Sequence, residues 1–327
     1  FHAISQVGYM VMGVGTGVPV GVVGGLFHML NNAIYKSLLF LGGGAVERRV
    51  GHQHLDRLGG LSRAMPFTFV AFLIGALAIS GVPPLNGFVS KWMVYQGVIE
   101  GGGRLMPLLL GAAVLGSALT LASFVKALHS VFLGTAAEEL RGEEVEEAPL
   151  PMLFPMGILA GLCVLLGLGG GVVVGAFLLP GVEEMGLRQA TQMTDSLAMS
   201  YGTGLWGPLP AMVLLLVGLG IGMLFYLAGR VFRVRRVSSF MGGEVGTEVP
   251  TKVSGTQFYK TIRRLPVLRN IYADAEDQVL DIYRLTGLYG KSLTDWISRM
   301  HTGILETYAT WCVVGIAIAV ALLFLLR

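Results

Sequence analysis

The stretch Ala78-Ile79-Ser80-Gly81-Val82-Pro83-Pro84-Leu85-Asn86-Gly87-Phe88-Val89-Ser90-Lys91 decides the architecture. It sits inside an apolar block running from Phe67 to Ile99, about 50 Å long as continuous helix. That is too long for one straight crossing of a hydrocarbon core about 30 Å thick. Two prolines, Pro83 and Pro84, and two glycines, Gly81 and Gly87, cannot continue a regular helix. A helix broken over 81–87 resolves both facts. Irregular backbone at membrane depth is tolerated where it is buried in protein or lines a watered cavity, and broken helices recur at ion-binding sites in transporters. Lys91 lies one turn past the break, where freed carbonyls and water stabilise an ammonium. A lysine near the bilayer centre costs about 2.5–3.5 kcal/mol on insertion scales. The alternative is snorkelling to the interface, which the position of Lys91 disfavours.

Outward from this stretch, the rest of the chain reads as membrane protein too. Hydrophobic residues make up 54% and charged residues 13% of the 327 positions, against about 25% charged in soluble domains. The apolar residues arrive in blocks near 4–17, 20–44, 67–99, 105–134, 152–179, 206–229 and 303–326. Lipid cannot satisfy an open backbone, so these are helices. The expectation is an all-α integral membrane protein with about seven transmembrane helices, one broken mid-membrane, and no cleavable signal peptide. Residues 1–179 form the core, 180–230 a loop and extra span, 231–302 a lateral segment, and 303–327 a C-terminal span. If the spans alternate in direction, seventeen of the 23 Lys and Arg fall on one face and only Arg104, Arg188 and Arg327 on the other. This bias predicts that loops 46–65 and 135–150 and the segment 231–302 are cytoplasmic. From Asp274 to His301 the pattern suits one or two amphipathic helices. The chain begins at Phe1 without a methionine, already inside a patterned segment, which suggests a fragment, a processed product or one product of a split gene.

Lys36, Lys91 and Lys126 are the three lysines inside spans. His28, Asn32 and Lys36 are spaced four apart and form one stripe on a helix. Histidine titrates near neutrality, and desolvation can bring an ammonium toward the same range, so the stripe has the chemistry of a proton relay. A polar stripe gluing two helices together is the alternative. In the next span Ser117, Thr120, Ser123, Lys126 and His129 recur every three residues, a winding track that carries protons on water or merely back-bonds to its helix. No Asp or Glu lies deep in a span, so the chain offers no carboxylate of the kind an ion carrier uses. Cys163 and Cys312 sit in apolar blocks, offer no disulfide or metal framework, and are expected to be buried packing residues. No metal site, cofactor site or catalytic residue is expected in this chain.

His2-Ala3-Ile4-Ser5-Gln6-Val7-Gly8-Tyr9-Met10, Phe27-His28, Lys36-Ser37-Leu38-Leu39-Phe40-Leu41, Leu58-Gly59-Gly60-Leu61, Met65-Pro66 and Gly87-Phe88-Val89-Ser90-Lys91 occur in this order over roughly residues 1–100. Together they closely resemble the antiporter-like membrane subunits of respiratory complex I, of multisubunit cation/proton antiporters and of membrane-bound hydrogenase and formate hydrogenlyase complexes. Phe240-Met241-Gly242-Gly243-Glu244, Gly255-Thr256-Gln257-Phe258-Tyr259 and the stretch from Ile271-Tyr272 to Ile282-Tyr283 are less specific and look most like the hydrogenase branch. The resemblance implies that Lys91 is a key residue of a proton half-channel, lined also by Lys36 and His28. Asn32 stands where relatives carry a second histidine, so a bridging water is needed there. It implies a core of about fourteen spans in two inverted repeats. This chain then starts at the tenth span and lacks the first repeat, with its glutamate–lysine pair and central lysine.

The function so implied is a proton-translocating subunit of an energy-converting redox complex in the cell (inner or plasma) membrane, with redox catalysis in other chains. Expected partners are lipid and other membrane subunits, including a chain supplying the missing repeat, and no nucleic acid. The alternatives are a subunit of a multisubunit Na+/H+ antiporter and a structural half-subunit without conduction.

Overall fold

The computed structural model describes residues 2–136, 140, 145–187, 192–193, 199–201, 204–206, 208–229, 255–256, 258–259, 265–279, 281–301 and 303–325. The motif 240–244 therefore lies outside the described residues, as do Gln257 and most of 231–264. The chain forms two compact units, 1–258 and 259–327.

The first unit is a helical bundle: α1 (His2–Gly15), α2 (Pro19–Val50), α3 (Pro66–Ser80), α4 (Asn86–Gly101), α5 (Met106–Leu128), α6 (Leu150–Leu168), α7 (Gly170–Val173), α8 (Leu179–Glu184) and α9 (Pro208–Ala228). A π turn, His129–Leu133, prolongs α5, and another, Val174–Leu178, joins α7 to α8. A small antiparallel ribbon of Gln192–Met193, Met199–Tyr201 and Gly204–Trp206 lies before α9 and holds the strands found among the described residues. Proline opens α2, α3, α5 and α6 within their first two positions, where its missing N–H costs nothing. The start of α3 is also capped from a distance. Glu147 accepts hydrogen bonds from the Phe67 N–H at 2.7 Å and the Thr68 hydroxyl at 2.6 Å, an anion at a helix N-terminus.

The hub is α2, which packs against α1, α3, α4 and α6. Its contact with α4 is close because small residues face each other: a Cβ on Gly97 would fall 2.3 Å from the Cα of Gly21. Helices without a hydrophobic drive between them associate through such close packing. One apolar cluster gathers Tyr35, Leu38, Met65, Ile79, Phe132 and Met156, and a second gathers Val23, Phe27, Val89, Met93 and Val174.

Met106–Leu133, Leu150–Leu168 and Leu305–Phe324 are each long and apolar enough to cross a membrane, and Pro66–Ser80 is a shorter apolar helix. The block expected as one span at 152–179 ends as regular helix at Leu168. Gly167, Gly169, Gly170 and Gly171 crowd this point, each costing about 1 kcal/mol of helix propensity against alanine.

The second unit holds α10 (Pro266–Glu276), α11 (Ile282–Met300) and α12 (Leu305–Leu325). Asp281 caps α11 by accepting from the Tyr283 N–H at 2.8 Å. The amphipathic pattern expected from Asp274 to His301 thus resolves into parts of two helices. Cys163 is buried as expected, whereas Cys312, on α12, is exposed, contrary to that expectation.

Candidate functional site

The helix break is built from local backbone chemistry. α3 ends at Ser80, and Gly81 takes the left-handed conformation with φ 81°, which glycine adopts without a Cβ penalty. The Gly81 N–H bonds the Ala78 carbonyl and the Val82 N–H bonds the Leu77 carbonyl, both at 3.0 Å, the pairing that closes many helix ends. The carbonyl of Ile79 is left over, and the Lys91 ammonium donates to it at 2.8 Å. Pro83 and Pro84, joined by a cis peptide bond, keep 82–85 out of helix. Regular structure resumes at Asn86, so Gly87 belongs to α4 and not to the break, a correction to the expected limits. Its glycine identity has a packing reason: a Cβ there would lie 1.9 Å from the Ala78 carbonyl oxygen, so α4 could not sit on the end of α3. Lys91 is 2% exposed.

A polar cluster surrounds this lysine. Its ammonium stands 4.8 Å from the centre of the Tyr9 ring, a favourable cation–π placement. The Tyr9 hydroxyl bonds the Ala113 carbonyl and lies 2.8 Å from the Ser117 hydroxyl, which the Tyr95 hydroxyl meets at 2.7 Å. His28 is fully buried. Its Nδ1 lies 2.9 Å from the Ser90 hydroxyl, beside Lys91 in sequence, and its Nε2 lies 3.0 Å from Gln6 Oε1. The Tyr35 hydroxyl is 3.3 Å from both that nitrogen and that oxygen. Asn31 and Asn86 exchange hydrogen bonds: Asn31 Nδ2 donates to the Asn86 carbonyl at 3.0 Å, and Asn86 Nδ2 to Asn31 Oδ1 at 3.1 Å.

The expected residues distribute unevenly around this cluster. Lys91 and His28 are both in it. Lys36 is half-buried, with its ammonium 5.7 Å from the centre of the Phe40 ring, and Asn32 Oδ1 is buried without a hydrogen-bond partner among the described residues. The single stripe expected of His28, Asn32 and Lys36 therefore splits, for a geometric reason. Each step of four advances about 40° around a helix, so Lys36 points about 80° away from His28. Asn31 and Tyr35 share the inward face instead. On α5, Ser117 joins the cluster through Tyr9, Thr120 back-bonds to the Gly116 carbonyl at 2.7 Å, and Ser123 lies 2.9 Å from His2 Nε2. Lys126 is half-buried near the end of the helix, and His129 opens the π turn beyond it.

Sequence reasoning assigned no role to Gln6 or Tyr9. The signal was present: His2, Gln6 and Tyr9 recur at four and seven residues, one helix face, and they fall within the quoted His2–Met10 motif. Ammonium, imidazole, phenol, amide and hydroxyl groups thus share one buried volume. Such a set can hold a proton and pass it on, directly or through water.

Fold and site together define a multi-pass, antiporter-like membrane protein. Residues 1–120 match the family described as NADH:quinone oxidoreductase/Mrp antiporter, TM, as the ordered motifs led one to expect. The chain is 35% identical over 183 residues to formate hydrogenlyase subunit 3 of Escherichia coli (strain K12), covering 51% of this chain and 30% of that protein. It is 30% identical over 329 residues to NADH-quinone oxidoreductase subunit L of Mycobacterium tuberculosis, covering 99% of this chain and 50% of the relative. Among solved structures it resembles a chain of the membrane-bound sulfane sulfur reductase, an archaeal respiratory membrane complex. The TM-score there is 0.71 at 26% identity, over 97% of this chain and 50% of that one. The chain thus spans half or less of the length of these relatives.

Proposed function

We propose that this chain is a proton-translocating, antiporter-like membrane subunit of an energy-converting redox complex, contributing part of a proton half-channel. The observation that carries this reading is Lys91: an ammonium almost fully enclosed, held by a carbonyl that exists to receive it only because the helix is interrupted. A purely structural lysine at such a place would be a costly choice. Redox chemistry in other chains changes the local field, and that shifts the protonation of Lys91 and His28. The relatives described as hydrogenlyase and quinone oxidoreductase subunits support a place beside other membrane subunits. Charge asymmetry supports placing loops 46–65 and 135–150 and the segment 231–302 on the cytoplasmic side of the cell membrane.

The test is Lys91→Ala in the assembled complex, with proton uptake and electron transfer measured together in vesicles. Pumping is expected to fall to a small fraction while redox turnover continues. An unchanged proton-to-electron ratio sinks the reading. The Mrp antiporter part of the family description favours a second reading, a multisubunit Na+/H+ antiporter. Cation exchange in vesicles without any redox companion would select it. Retained transport companions with no effect of Lys91→Ala on either activity would leave a structural half-subunit.

A further inference from the structure

The cytoplasmic end of the α5 track carries a contact that the proton pathway does not explain. Thr256 reaches back two hundred positions to Asp56: its N–H donates to Asp56 Oδ1 at 3.1 Å and its hydroxyl to Oδ2 at 2.7 Å. Asp56 belongs to a short 3-10 turn, Leu55–Arg57. Next to Thr256, Gly255 is buried so tightly that a Cβ would fall 2.7 Å from Leu55 Cβ and 2.9 Å from the Ser130 hydroxyl. The Phe258 ring lies 5.2 Å from the ring of His129.

Beneath this segment is the π turn His129–Leu133. Single π turns inside helices free backbone groups and often mark functional sites. Here the Leu61 and Ser62 N–H groups bond the Val131 and Phe132 carbonyls at 3.4 and 3.0 Å. His129 Nδ1 and the Ser130 hydroxyl remain buried with no hydrogen-bond partner among the described residues. Buried polar atoms are normally satisfied by protein or water, so this pair marks a place where ordered water fits.

We propose that Gly255, Thr256 and Phe258 form a seal over the end of the α5 track at His129 and Ser130, closing the half-channel to the cytoplasm. This rests on the conducting reading above. A half-channel translocates against a gradient only if it communicates with one side at a time. A track of hydroxyls, lysine and histidine running toward an open end would short-circuit the pump. The seal is hinged on one carboxylate, and its tightest point admits no side chain at position 255.

The test uses the native membrane assembly in proteoliposomes without redox substrate, under an imposed potassium diffusion potential, with an internal pH dye as readout. Thr256→Val and Gly255→Val should each raise passive proton flux, by about tenfold for Thr256→Val, the scale of losing one hydrogen bond to a charged acceptor. Thr256→Ser keeps the hydroxyl and should behave as the native protein. Native-level flux in both valine variants, with redox turnover intact as proof of assembly, overturns the seal. A leak abolished by adding Lys91→Ala supports both the seal and the lysine's place on the path. A leak that persists with Lys91→Ala supports the seal and counts against that place. The pumping ratio of Lys91→Ala alone judges the conducting reading separately.

Discussion

An ammonium inside a helix bundle needs partners, and among the described residues Lys91 meets two uncharged ones: the Ile79 carbonyl and the face of the Tyr9 ring. Neither neutralises it, so the lysine can lose its proton without leaving an orphaned carboxylate behind, which is the cost that makes broken ion pairs so destabilising. Tyr9 therefore has two separable duties. Its ring faces the ammonium, and its hydroxyl joins the Ser117–Tyr95 pair. Tyr9→Phe should retain the cation–π contact and normal assembly while slowing proton translocation several-fold. Tyr9→Leu should in addition lower the thermal stability of the detergent-solubilised complex by about 1 kcal/mol. Translocation rates equal to the native protein in Tyr9→Phe would remove the hydroxyl from the path. The importance of Gln6 and Tyr9 was only half legible. Their helical spacing could be read, but nothing local says which neighbour their face meets.

At the scale of elements, the broken helix was legible because proline and glycine act through their own backbone, with no reference to the rest of the fold. Its limits were less so: Gly87 reads as a breaker, yet it is a close-packing residue inside α4. The two glycines should respond differently to alanine. Gly81→Ala strains a left-handed residue and should cost about 1 kcal/mol or somewhat more. Gly87→Ala drives a methyl into the Ala78 carbonyl and should cost about 1–3 kcal/mol. It should also push α4 outward and lengthen the reach from Lys91 to Ile79, so that pumping falls more than stability alone explains. Thermal unfolding beside the pumping ratio separates the two effects. A Cβ at Gly81 would itself stand 3.1 Å from Lys91 Cδ, so the deciding result is Gly87→Ala alone: pumping that falls no further than stability explains would argue against this geometry. The His28, Asn32 and Lys36 stripe does not stay on one face of α2, because four-residue spacing drifts about 40° per step and two steps carry Lys36 to another face.

At the scale of the whole molecule, the first unit carries the site and the second carries α10, α11 and α12. On α11, Leu288, Tyr289, Leu293, Trp296 and Ile297 are all exposed, more apolar surface on one helix than an isolated soluble chain leaves open. This supports lipid or neighbouring subunits as its cover. The charge asymmetry is the argument for our proposal that this helix lies on the cytoplasmic side. A cysteine introduced at Ser292 should react with a membrane-impermeant maleimide in inside-out vesicles and stay unlabelled in right-side-out ones. The reverse pattern would invert the topology, and with it the direction in which the α5 track is sealed.

Composition, block length and charge bias settle by themselves that this chain is a helical membrane protein, that one of its helices is interrupted, and that a lysine follows the interruption. These are properties of single segments in contact with water or lipid, so each segment's own residues decide them. Only the tertiary structure decides that Asn31 and not Asn32 meets Asn86, that Gln6 faces His28, and that Thr256 reaches Asp56. Those pairings depend on the rotation of one helix against another and on closing loops of tens to hundreds of residues, where a turn of 100° per residue makes one position the difference between a buried partner and an exposed side chain.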